Sequence, residues 1–276
     1  MTTPIQPVQV TAQAAYAAAT TSLRLSLLSF VAWAFRARGA WNRPDMQWFA
    51  ATVAPVVIGT QRQMAVLTDQ YIAESLAEQT GRTVDPLGVD LADDLRGVPE
   101  DELYERPYVQ LWSNLGQGVP FEDALAGADR RAEVLAETDL QMARVRAAQQ
   151  AISGQPGAAG WRRVLRGERD CLLCLVAATQ RYRKRELAAI HPGCDCEVEP
   201  IAGDRDPGQI IDPVLLEQVH TAVEAAGFRP DRGARNPDYR RLIAVREHGE
   251  IGPLLTLQRH GFTGPEHLAR GDTPTA

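Results

Sequence analysis

All four cysteines of this chain lie in one short stretch, and a histidine lies among them. The spacing is Cys171-x2-Cys174, sixteen residues, and then His191-x2-Cys194-x-Cys196. Zinc is held by about four nitrogen or sulfur ligands in a tetrahedral arrangement, and a Cys-x2-Cys pair on a tight turn can supply two of them. The intervening residues can form a short helix and a return strand that bring the two groups together. The sequence therefore predicts a small metal knuckle that binds one zinc ion.

Five candidate ligands compete for four positions, and the residues leave two ligand sets open. A strand over 194–198 would turn Cys194 and Cys196 to opposite faces, so only one of them would bind with the other three candidates. A turn that continues further would let all four cysteines bind, with His191 as an outer hydrogen-bond donor. We favour His191 as a ligand. Disulfides and inert buried thiols are further alternatives, but clustered cysteines without an export signal favour metal.

The expected role of this metal is structural. A catalytic zinc keeps an open coordination position near a general acid or base, whereas these candidates can close the site. The sequence contains no HExxH motif, and it lacks the H-x-E and P-C-x-x-C pattern of zinc deaminases. We therefore expect no catalytic residues and no small-molecule substrate.

Basic residues surround the predicted knuckle, although the net charge of the chain is −6. That overall charge argues against a protein that coats DNA. The candidates for a local contact surface are Arg162, Arg163, Arg181, Arg183, Lys184 and Arg185, with Trp161 and Tyr182 interleaved. Such a patch could bind phosphates, meet an acidic protein surface or be a solvated face, and the residues leave all three open.

Long amphipathic helices must position this module. Residues 11–38 place apolar side chains on one helical face, and a second stripe follows the cap signal at Asn42 and Pro44. Pro55 is expected to kink or split the second helix. The apolar run Leu25–Phe35 is well short of the ~18–20 residues that span a bilayer, so no membrane span is expected.

Further helices are predicted over residues 99–115 and 120–150, after a turn-rich connection. A helix is expected near 212–226, and a helix or strand pair over 238–258. The expected fold class is therefore mainly α with a small α+β zinc-knuckle module. Three parts are expected: a helical region over 1–118, a domain with the long helix and the cysteine module over 119–202, and a partly disordered extension over 203–276.

Two stretches of the second part resemble the MuF-like minor head proteins of tailed bacteriophages. In that family a helix with a pattern like RA..IA.TE...A precedes a cysteine module that ends in H-P-x-C-x-C. Here the helix reads RAEVLAETD from Arg131 to Asp139, and the module reads CLLC, RYRKREL, HPGCDC and VEPI. Asp139 stands where the family has glutamate. The stretch EHGEIGP at 247–253 is a weaker match, and the helical N-terminal region takes no part in the resemblance.

The resemblance implies a non-enzymatic minor capsid protein that is present in few copies at the portal vertex and aids head assembly, DNA packaging or delivery. Its implied partners are the portal protein and other head proteins, with packaged DNA as a further contact. The implied location is the virion, in the capsid interior or at the portal vertex, and the host cytoplasm during assembly. Two competing hypotheses are a zinc-knuckle nuclease of the HNH type and an effector protein, and the catalytic signature of neither is visible in the sequence.

Overall fold

The structure is a computed structural model. It describes residues 11–165, 172–179, 181–184, 196–203 and 243–257. The helices in these ranges are α1 (Ala12–Arg36), α2 (Arg43–Thr80), α3 (Glu100–Gly116), α4 (Phe121–Gly154) and α5 (Leu172–Ala178). The strands are β1 (Ala158–Val164), β2 (Arg181–Arg183), β3 (Glu197–Ala202), β4 (Ile243–His248) and β5 (Gly252–Leu257). The described chain is mainly helical with a small antiparallel sheet, as the sequence predicts.

Local signals set the ends of α2. The side chain of Asn42 accepts a hydrogen bond from the backbone N–H of Asp45 at 3.0 Å, and Pro44 lies in the first turn. At the other end Gly81 adopts the left-handed conformation with φ of 66°, which favours glycine and ends the helix. The predicted cap at Asn42 and Pro44 is therefore confirmed.

The helix α2 is not split at Pro55. It runs without interruption for 38 residues. Proline in a helix interior costs about 3 kcal/mol, but this ring lies on the exposed face. Val53 and Val57, on the opposite face, are fully buried, and burying each such side chain stabilises the fold by roughly 1.5–3 kcal/mol. Packing of the inner face therefore outweighs the missing hydrogen bond.

The four long helices share one hydrophobic core. The predicted stripe of α1 faces it, with Leu27, Val31 and Ala34 buried. Small side chains of α4 allow the other helices to lie close along it. The buried alanines of α4 in this core are Ala124, Ala128, Ala132, Ala136, Ala143 and Ala147. The helix that the sequence assigns to the second part thus packs with the helices of the first, and the division into parts stays a prediction.

A three-stranded antiparallel sheet with the order β2-β1-β3 lies beside the C-terminal end of α2. Gln79 of α2 donates to the carbonyl of Pro200 at 2.8 Å and accepts from the N–H of Ala202 at 2.9 Å. A second hydrophobic core joins the sheet to the helices, and it includes Tyr16, Tyr71, Ile72, Leu76, Ile152, Trp161 and Val198. The sheet that leads to the cysteines is therefore anchored on the bundle.

The strands β4 and β5 form an antiparallel hairpin, so the strand-pair alternative for residues 238–258 is confirmed. Leu254 of β5 is 4% exposed and packs in the second core. The helix expected near 212–226 and the last residues of the expected extension lie outside the described residues.

The helix α1 is long and apolar enough to cross a membrane by length and composition alone. In the structure it packs along the bundle, with Val31 and Phe35 fully buried. The core helix of a packed bundle can have the same length and composition. The expectation that the chain has no membrane span therefore stays a prediction.

Candidate metal centre

Two of the five predicted metal ligands lie within the described residues, and the structure brings them together. Cys174 lies in α5, and Cys196 directly precedes β3. Each is 1% exposed. Both belong to one buried cluster, against which Leu165 packs. One cysteine from each of the two predicted ligand groups thus lies in the same buried environment.

The remaining candidates, Cys171, His191 and Cys194, lie outside the described residues. Among the residues that the structure does describe, no three His, Cys, Asp or Glu side chains form a group that could hold a metal ion. The zinc ion and the choice between the two ligand sets therefore stay predictions.

The described part of the Cys-x2-Cys pair is helical, because Cys174 lies in the first turn of α5, which begins at Leu172. Cys171 lies outside the described residues, so the tight turn expected for the pair stays a prediction. The segment LLCLVAA is rich in leucine and alanine, which are strong helix formers. A short helix and a return strand, which the residues between the two ligand groups can form, are present as α5 and β2, although α5 already begins before Cys174.

A buried guanidinium lies beside Cys196. The Nη1 atom of Arg163 is 3.9 Å from the Sγ atom of Cys196 and donates toward it. The Cζ atom lies 5.4 Å from the ring centroids of Trp161 and Tyr182, which stack on each other at 4.0 Å. Arg163 is 3% exposed. The expectation that Arg163 belongs to an exposed basic contact surface is therefore wrong, because the strand register turns it into the module.

Arg162, the residue before Arg163 in β1, has the opposite surroundings. Its side chain is 49% exposed, and its Nε atom donates to Glu199 at 2.6 Å. The hydrogen bond to this carboxylate raises the pKa of Arg162. Much of its charge is thus already balanced within the sheet.

The other candidates of the basic patch occupy mixed positions. Arg183 is exposed, Arg181 is half-buried, and Arg185 lies outside the described residues. The Nζ atom of Lys184 donates to the carbonyl of Gln155 at 2.5 Å, which ties β2 to the end of α4. The surface that remains for a partner is smaller than the sequence suggested, and its contact with DNA or protein stays a prediction.

A second cluster of ionisable groups lies inside the helical bundle, and no pattern in the sequence predicts it. Asp139 is fully buried in α4. Its carboxylate accepts from Nε of Arg96 at 2.5 Å and from the hydroxyl of Tyr104 at 2.8 Å. Burial raises the pKa of Tyr104, so its hydroxyl stays protonated and donates. Arg96 lies in the turn-rich connection before α3, where periodicity carries no information on burial.

Glu100 belongs to the same cluster and lies in the first turn of α3. It accepts from Nε2 of Gln61 at 3.0 Å. Its second carboxyl oxygen is buried and has no hydrogen-bond partner among the described residues. Burial, reinforced by the negative charge of Asp139, raises the pKa of Glu100 to about 7.

The cluster extends to the turn of the β4–β5 hairpin. Glu250 accepts two hydrogen bonds from Arg106, at 2.9 and 2.8 Å. These bonds lower the pKa of Glu250. Nη1 of Arg96 lies 3.9 Å from the same carboxylate. These contacts attach the hairpin to α3, so the cluster has a structural role.

Comparison of the chain with family models, with curated proteins and with solved structures found no match.

Proposed function

We propose that this chain is a non-enzymatic minor head protein of a tailed bacteriophage that is stabilised by one structural zinc ion and associates with the portal vertex. The observation that carries the proposal is the shared buried cluster of Cys174 and Cys196. The cluster lies in the module whose HPGCDC segment resembles the MuF-like family. The long helices that hold the module offer extended surfaces for a larger assembly.

The chemistry of the two described cysteines fits zinc. Thiolates are preferred zinc ligands, and a structural site needs four N or S donors that exclude water. Cys171, His191 and Cys194 are the residues that would complete the set. Zinc binding is worth roughly 10–16 kcal/mol in small modules, which is ample to hold a short helix against a three-stranded sheet.

The metal is tested by measuring zinc in the reduced, purified chain by mass spectrometry under native conditions. We expect one zinc ion per chain, lost in Cys174→Ser and in Cys196→Ser. The matched control is Val176→Ala, because Val176 is fully buried on the same helix but offers no ligand. Zinc that is absent from the unaltered chain, or retained in both serine variants, would contradict the proposed site.

The head role is tested in the phage that encodes the chain. Particles assembled with Cys174→Ser should contain less packaged DNA or lose infectivity, whereas Val176→Ala particles should remain infectious. The portal protein of the same phage should co-purify with the unaltered chain. Normal infectivity of particles that lack the chain altogether would overturn the proposal.

The proposed lack of enzymatic activity is tested with DNA as the substrate. Plasmid DNA incubated with the chain and Mg²⁺ should remain intact. Cleavage that disappears in His191→Ala would support the nuclease hypothesis instead.

A further inference from the structure

The geometry points to Arg163 as the charge-balancing and positioning residue of the zinc site, which lies against the sulfur of Cys196 and raises the affinity for the metal. This inference rests on the proposed zinc site. It assigns to Arg163 a role inside the module in place of a contact with DNA.

Electrostatics favour a cation beside the ligands of a buried zinc ion. A zinc ion with three thiolates and one imidazole carries a net charge of about −1, and with four thiolates about −2. Taking a net charge out of water is costly unless an opposite charge lies close by. Cys196 is 1% exposed and Arg163 is 3% exposed, so water can screen neither of them well. The guanidinium at 3.9 Å from Sγ therefore offsets negative charge at the sulfur.

An aromatic stack positions this guanidinium. The guanidinium of Arg163 lies over both rings of the Trp161–Tyr182 stack. The register of β1 and β2 places these two aromatic residues directly opposite each other. The hydroxyl of Tyr182 also donates to the carbonyl of Ala177 in α5 at 3.1 Å. The same stack thus holds the guanidinium and contacts the helix that carries Cys174.

The other charged residues of β1 and β3 lie on the opposite face of the sheet from Arg163. Glu197 follows Cys196 and is also buried. It lies opposite Val164 in the sheet, whereas Arg163 lies opposite Val198. Because neighbouring residues of a strand point to opposite faces, Glu197 and Arg163 lie on different faces of the sheet. Arg162 is turned outward onto Glu199. Of the two adjacent arginines of β1, only Arg163 contacts the cysteine sulfur. Outer-sphere groups of this kind tune the metal affinity of the ligands that they touch.

The test compares zinc affinities by chelator competition in the full chain. Arg163→Met keeps an unbranched apolar side chain against the aromatic rings and removes the charge. We expect it to weaken zinc binding about 10–100-fold. The matched control Arg162→Met removes the same charge from the neighbouring position and should leave the affinity unchanged. Arg163→Lys retains a cation and should bind zinc more tightly than Arg163→Met.

The outcomes distinguish a failure of the proposed zinc site from a failure of the role assigned to Arg163. If the unaltered chain binds no zinc, the proposed site fails and this inference fails with it. If the unaltered chain binds zinc and Arg163→Met binds it equally well, the inference alone is overturned. It is also overturned if the lysine and methionine variants have equal affinity. A purely structural role for Arg163 would lower the melting temperatures of the zinc-loaded and metal-free forms by the same amount, whereas we expect the larger loss in the zinc-loaded form.

Discussion

Asp139 and Glu137 are carboxylates of the same helix, two positions apart, and their surroundings are opposite. Asp139 is fully buried and bound by Arg96, which is itself 4% exposed. Glu137 pairs with Arg24 near the surface, where the side chains are 17% and 35% exposed. A buried charge that loses its partner keeps its full desolvation cost, whereas a partly exposed charge is still solvated by water. The two pairs should therefore differ strongly in their effect on stability.

We expect Asp139→Ala to lower the free energy of unfolding by about 3–5 kcal/mol, because it leaves the guanidinium of Arg96 buried with only the more distant carboxylate of Glu250 near it. The control Glu137→Ala, on the same helix, should cost no more than about 1 kcal/mol. Urea unfolding followed by circular dichroism measures both. Equal losses for the two variants would show that the buried cluster does not contribute as the structure indicates.

The buried position of Glu100 predicts a specific pH dependence. Its pKa in the folded chain is about 7, above the ordinary value of 4.5, so the folded state binds the proton more tightly than the unfolded state. The stability that this proton provides is fully present below about pH 4.5 and is lost as the pH rises through 7. The groups that face Glu100 are Gln61 from α2, Asp139 from α4, and Arg96 and Asp94 from the preceding connection.

Glu100→Gln removes this titration and should flatten the decline in stability between pH 4.5 and 7. The shift in pKa corresponds to about 3 kcal/mol at most, so the variant should gain stability relative to the unaltered chain at pH 8. Glu102→Gln is the control, because Glu102 lies exposed in the same helical turn. Urea unfolding at a series of pH values gives the comparison. Parallel pH profiles for Glu100→Gln and the unaltered chain would refute the assigned environment.

At the scale of elements, the helices were predictable and the sheet contacts were not. The cap at Asn42 and the stripe of α1 are local signals, since helical periodicity is read within a few turns. The pairing of Trp161 with Tyr182 joins segments that are separated by α5, and no local pattern encodes such a register. The outward or inward direction of Arg162 and Arg163 depends on that register. For this reason the sequence alone predicts one basic patch that contains both Arg162 and Arg163.

Gly160 tests the pairing of β1 with β2. A Cβ atom at this position would lie 2.5 Å from the backbone carbonyl oxygen of Tyr182, which is a rigid neighbour. Gly160→Ala should therefore push β2 away from β1, separate the Trp161–Tyr182 stack and cost roughly 1–3 kcal/mol. Gly157→Ala is the control, because its Cβ atom would meet nothing within 4 Å. Tryptophan fluorescence and thermal melting should change in the first variant and not in the second. Identical behaviour of the two variants would contradict the β1–β2 register.

At the scale of the whole molecule, α1 has two possible environments that its composition alone does not distinguish. Its length and apolar character suit a membrane as well as a bundle. The structure places Val31 fully buried against the other helices. Ser29, two residues earlier, lies on the exposed face. In a membrane both faces would meet an apolar environment, whereas in the bundle one face meets water.

A carboxylate introduced on each face separates these environments. In the bundle, Val31→Asp buries an unpaired charge and should lower the free energy of unfolding by more than about 4 kcal/mol. Ser29→Asp should change it by no more than about 0.5 kcal/mol, because water solvates the new charge. In a membrane-spanning helix both changes would oppose insertion, by about 2.5–3.5 kcal/mol each near the centre. Circular dichroism during urea unfolding of detergent-free protein should therefore show one strongly destabilised variant and one that matches the unaltered chain. If both variants can be recovered only with detergent, α1 is a membrane helix and its place in the bundle core is wrong.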